Sequence, residues 1–109
     1  MSLDLNSATA RLAREMGNSE TAIADALVAS AALLHSAALA SSAFADAPAL
    51  RSQAALLHIN KLIASLVEAR GEAMRVHGQL VDISREMGAT EIPWCPDPKA
   101  IADDDRQAA

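Results

Sequence analysis

Aromatic side chains are almost missing from this chain: Phe44 and Trp94 are the only two, and there is no tyrosine. Stacking platforms for unpaired bases are therefore absent. Strand-favouring β-branched and aromatic residues are sparse, which argues against a sheet. Cys95 is the only cysteine, so no internal disulfide and no cysteine-rich metal site can form. A reducing, cytoplasmic setting is the expectation. Positive charge is also scarce. The formal net charge is −5, and no Lys or Arg occurs between Glu15 and Leu50. With no basic stripe to follow a phosphate backbone, nucleic acid is excluded as a partner. Residues Met1 to Asn6 show no basic stretch followed by an apolar run, so no signal peptide is expected.

What remains is alanine, with Leu, Ile, Val and Met, in 109 residues. Alanine has the highest helix propensity and lets helices approach closely. One all-α domain of residues 1–88 is expected, with three helices. The first spans 2–16, capped by Ser2 or Asp4 and stopped by Gly17 acting as a left-handed C-terminal glycine. The second spans 19–46, roughly 40 Å at the helical rise, with Ile23, Leu27, Leu34 and Phe44 on one stripe and Val28, His35 and Leu39 on another. Asp46-Ala47-Pro48 turns the chain, since proline is tolerated at a helix start. The third helix spans 48–87. Its apolar stripe is Leu56, Ile59, Ile63, Leu66, Ala69, Ala73, Val76, Leu80, Ile83 and Met87, spaced by three or four throughout. Gly71 and Gly78 on it mark a close crossing, a bend or simple tolerance.

The segment Arg14-Glu15-Met16-Gly17-Asn18-Ser19-Glu20 echoes Arg85-Glu86-Met87-Gly88-Ala89-Thr90-Glu91, which suggests one helix-stop device used twice. Beyond Gly88, three prolines in six residues (93–98) forbid a helix. Residues 89–109 are expected to form an extended acidic tail, anchored on the bundle by Trp94.

Between Asp25 and Asp46 no residue carries a formal charge. A helix apolar on most sides must be hidden. The length approaches that of a membrane span. However, nearly half of the stretch is alanine, and His35 and several serines interrupt it, so a span is the less expected outcome. A hairpin pairing these helices, closed by a second copy into a larger bundle, hides more of the apolar surface.

Chemistry-bearing residues are few. A turn near residue 47 places facing residues so that their numbers add to roughly 95, which puts His35 and His58 at one level. They are the candidate metal or haem ligands, alone or as half of a dimeric four-histidine site. His77 lies ~28 Å from His58 along the helix and cannot join them. Neither a Glu-x-x-His pair nor a His-Glu-x-x-His motif occurs. The segment His35–Phe44 resembles the phosphorylated helix of histidine phosphotransfer domains, but Ala38 and Leu39 stand where that family has Lys and Gly, so its activity does not carry over. Cys95, between Trp94 and Pro96, could ligate haem or dock the chain on a larger enzyme as an ancillary subunit. No phosphate loop, nucleophile elbow or carboxylate pair is present, and no cofactor is implied. The leading expectation is a non-enzymatic interaction protein, an adaptor, chaperone-like or regulatory subunit. It would form a homodimer and bind protein through Leu27, Leu34, Phe44, Leu80, Ile83, Met87 and Trp94.

Overall fold

The structure, a computed structural model, describes residues 2–44 and 49–89. They form an all-helical hairpin of α1 (Ser2–Ala43) and α2 (Ala49–Glu86), with no strand among the described residues. The expected reversal at Asp46–Pro48 and the tail carrying Trp94 and Cys95 lie outside the described residues.

The short N-terminal helix is corrected. α1 runs unbroken through Gly17. A glycine stops a helix when its backbone turns left-handed and the next turn has nothing to pack on. Gly17 keeps a negative φ, and covered positions continue beyond it. Thr9, Ala13 and Met16 are buried; Glu20, Ile23, Leu27, Leu34, Ala37 and Ser41 are half-buried, and Ser30 is buried. These positions alternate by four and three without interruption. A lone glycine costs up to about 1 kcal/mol against alanine, less than the loss of that continuing seam.

Gly88 behaves as the sequence echo suggests. Its φ is +88°. Its N–H donates to the Arg85 carbonyl at 3.0 Å, and the Ala89 N–H donates to the Ser84 carbonyl at 2.9 Å. These bonds satisfy carbonyls that the end of α2 would otherwise leave open. Arg85 adds a cation in the last turn, and Asp4 an anion in the first turn of α1, each favourable to its helix dipole.

Two compact units are distinguished along the pair. In one, made of residues 2–18 and 76–89 of the described chain, the buried side chains are small or polar apart from Met16 and Val81. Thr9 is 2% exposed, and its hydroxyl donates to the Leu5 carbonyl at 2.9 Å. Ala13 and Ser84 are also buried. The other unit is Ser19–Arg75. Its seam pairs Ile23, Leu27 and Leu34 of α1 with Leu56, Ile59, Ile63 and Leu66 of α2, all half-buried.

The stripe on α2 departs from expectation after Ala73. The covered face passes to His77, Leu80, Val81 and Ser84, while Val76, Ile83 and Met87 are exposed. An alternation of three and four from Leu56 leads through Ile63 to His77 and Ser84, with Ala69 and Val81 covered beside it and Arg70 exposed. The phase of the pair therefore counts for more at His77 and Ser84 than the apolarity of Val76 and Ile83.

The two halves of the echo make opposite predictions for a single methyl. A Cβ at Gly17 meets nothing within 4 Å, so Gly17→Ala raises stability by up to about 1 kcal/mol. Gly88→Ala lowers it by about 1 kcal/mol, because alanine resists a left-handed backbone. Urea unfolding followed by circular dichroism at 222 nm checks both.

Candidate interaction surface

The surface of the Ser19–Arg75 unit is the informative feature. No described Leu, Ile, Val, Met or Phe within it is buried; only Ser30 and Ala73 are. Val28 is 71% exposed, Phe44 67% and Met74 67%, and Leu33, Leu39, Leu57, Leu62 and Val67 are also exposed. Two helices meet along one line, so this unit can cover one seam and has no interior. A seam of half-buried leucines and isoleucines leaves most of each side chain's available hydrophobic stabilisation, about 1.5–3 kcal/mol when fully buried, incompletely realised.

A groove of about 380 Å³ opens where the seam meets one flank. Glu20, Thr21, Ile23 and Ala24 of α1 line it together with Arg70, Ala73 and Met74 of α2. Facing residue numbers here add to about 93, close to the ~95 expected from a turn near residue 47. Glu20, half-buried, and Arg70, exposed, bring charge to the groove's rim. A second hollow, about 580 Å³ and open, lies on α2 over Gly71, edged by Val67, Glu68, Glu72 and Arg75. Gly71 has only Arg75 Nη1 within reach, 3.8 Å from an added Cβ, and Gly78 has nothing. Neither glycine is required by a close crossing within the described chain. Arg75 Nη1 meets Glu72 Oε1 at 2.6 Å, and Arg11 Nε meets Glu15 Oε1 at 3.3 Å; both pairs are exposed, and each adds less than about 1 kcal/mol.

The chain matches no protein-family model, no curated protein and no solved structure.

The site residues named from the sequence scatter over this surface. Leu27, Leu34 and Leu80 are half-buried and belong to the seam. Phe44, Ile83 and Met87 are exposed. Trp94 and Cys95 lie outside the described residues. His35 and His58 are both exposed, each one residue off a seam position, Leu34 and Ile59 respectively. Among the described residues no group of three or more His, Cys, Asp and Glu side chains comes together to hold a metal. Sequence reasoning missed the polar seam residues Thr9, Ser84 and His77, since it selected the most apolar letter at each turn.

α1 is also long and apolar enough to cross a membrane, judged by length and composition, and none of its most apolar stretch is buried.

Leu34 lies mid-seam in the Ser19–Arg75 unit. Leu34→Asp puts an uncompensated charge into the only line of contact between its helices, a loss of about 3 kcal/mol or more. A large fall in the helical signal at 222 nm is the expected result; an unchanged spectrum and melting point would refute the packing.

Proposed function

We propose that this protein is a small, non-enzymatic helical interaction protein that associates with itself and, through the same kind of Ala- and Leu-rich face, with other protein. One observation carries the reading: the described side chains of residues 19–75 include eight exposed large apolar ones and no buried Leu, Ile, Val, Met or Phe. Exposed apolar patches of this kind mark interaction surfaces in soluble proteins. An adaptor or regulatory subunit fits, and a cytoplasmic location goes with it.

The test is molar mass in solution. Light scattering coupled to size-exclusion chromatography, repeated over a hundredfold range of concentration, is expected to give twice the 11.3 kDa of one chain or a larger multiple. A chain that stays at 11.3 kDa while fully helical would remove the self-associating part of the reading.

A second reading is favoured by a separate observation, the length and apolar composition of α1, whose described Leu, Val and Phe side chains are at most half-buried. In that reading α1 inserts in a lipid bilayer. The measurement is flotation with phosphatidylcholine vesicles. Under the first reading the chain stays in the dense fraction and dissolves without detergent; flotation together with a detergent requirement would establish the second.

A further inference from the structure

Two antiparallel helices place the residue after each covered position on one side of their contact and the residue before it on the other. The groove shows the first side. Thr21, Ala24, Arg70 and Met74 line it, and each follows a covered residue, Glu20, Ile23, Ala69 and Ala73 respectively. The same geometry sorts the unit formed by residues 2–18 and 76–89. After Ala13, Val81 and Ser84 stand Arg14, Asp82 and Arg85, all charged and exposed. Before Ala13, His77 and Ser84 stand Leu12, Val76 and Ile83, all apolar and exposed. Met87, one turn beyond Ile83, carries that apolar side to the end of α2. One charged residue, Glu15, precedes the buried Met16, and its carboxylate is paired with Arg11 at 3.3 Å.

We propose that the segment Ile92-Pro93-Trp94-Cys95-Pro96 of this same chain docks on the apolar side of its own hairpin end, with Trp94 against Ile83 and Met87 and beside Leu12. The inference goes beyond self-association, since it concerns the other unit and an occupant that is already attached.

Three features select that segment. The first is where the described chain ends. Gly88 is left-handed, and the Ala89 N–H donates to the Ser84 carbonyl at 2.9 Å. This hydrogen bond turns the chain back onto the last turn of α2, and Ala89 is half-buried there. The second is reach. Ile83 lies ~9 Å back along the helix from Ala89, and the five residues from Ala89 to Trp94 can span up to ~16 Å. Ile83 is therefore within range of Trp94, whereas Val76, ~20 Å back, is not. The third is chemistry. Residues 92–96 carry no charge and are bounded by Glu91 and Asp97, so an uncharged stretch meets the uncharged side, and Trp94 brings the largest apolar surface in the chain. Pro93 and Pro96 restrict the free segment, which lowers the entropy lost on docking. Attachment also gives it an effective concentration of about millimolar.

Trp94 is the only tryptophan, so its fluorescence reports this segment alone. In the full chain its emission is expected to be blue-shifted from that in urea and several-fold less quenched by acrylamide. Ile83→Ser is expected to shift the emission to the red and restore quenching, while Leu39→Ser, exposed in the other unit, changes neither. A native spectrum equal to the spectrum in urea overturns the docking, and an unaltered spectrum in Ile83→Ser overturns the choice of side. A red shift on dilution overturns attachment, because it means that the segment docks on another copy. Cross-linking gives a readout independent of any effect of the serine on folding. Ile83→Cys and Arg85→Cys lie at nearly equal distance in sequence from Cys95 but on opposite sides of the unit. Oxidised at low concentration, the Ile83→Cys chain is expected to close its internal disulfide at least about 10-fold faster. Equal rates, or faster closure from Arg85→Cys, overturn the proposal.

Discussion

The structure depends on a single line of contact between two helices, kept in phase by positions that alternate by four and three residues. That alternation gives 3.5 residues per repeat, which holds a seam facing its partner over many turns. Its consequences are unequal along the molecule. Leu27, Leu34, Leu56, Ile59, Ile63 and Leu66 give the seam an apolar middle. Toward the chain ends the same columns carry Thr9, Ala13, Arg70, His77 and Ser84. There the buried side chains are Thr9, Ala13, Met16, Val81 and Ser84, and the hydroxyl of Thr9 turns inward to its own helix. The larger residues of the apolar middle are only half-buried.

The helical class and the hairpin were legible because they follow from averages: abundant alanine, few strand formers and a proline between two long periodic segments. The finer features depend on neighbours. Gly17 and Gly88 stand in nearly identical heptapeptides, yet only Gly88 adopts the left-handed backbone. The difference lies downstream. After Gly17 the seam continues at Glu20, Ile23 and Leu27. At Gly88 the covered positions give out: Glu86, Met87 and Gly88 are exposed. A local motif reports the capacity to stop, and the following residues determine whether stopping is the better outcome.

The stripe of α2 was misjudged for a related reason. Choosing Val76 and Ile83 over His77 and Ser84 follows hydrophobicity at each turn, whereas the seam follows phase. His77 is half-buried and Ser84 buried although each has a more apolar neighbour, Val76 and Ile83, that is exposed. The candidate surface was legible only in outline. The uncharged run after Asp25 signalled a helix with surplus apolar surface, and the side chains that stay exposed, Val28, Leu33 and Leu39 on α1, are known only once the phase is. His35 and His58 illustrate the limit. Level matching along a hairpin says nothing of direction around each helix, and both side chains leave the seam for solvent.

The same phase bears on whether lipid or protein covers the apolar face. α1 alone has the length and composition of a span, but it is tied to α2 through the seam, and α2 carries Arg51, Lys61, Glu68, Arg70, Glu72 and Arg75 along the stretch that pairs with it. Inserting α1 with its partner would bring those charges into hydrocarbon, at several kcal/mol even on the mildest scales. Inserting it without α2 would give up the contact that orders both helices. A protein surface carries neither penalty. It can cover exposed apolar side chains such as Val28 and Val67 while Lys61, Glu68 and Arg75 stay in water, and it needs no separation of the hairpin. The distribution of charge around α2, more than the apolarity of α1, therefore favours a protein partner over a bilayer.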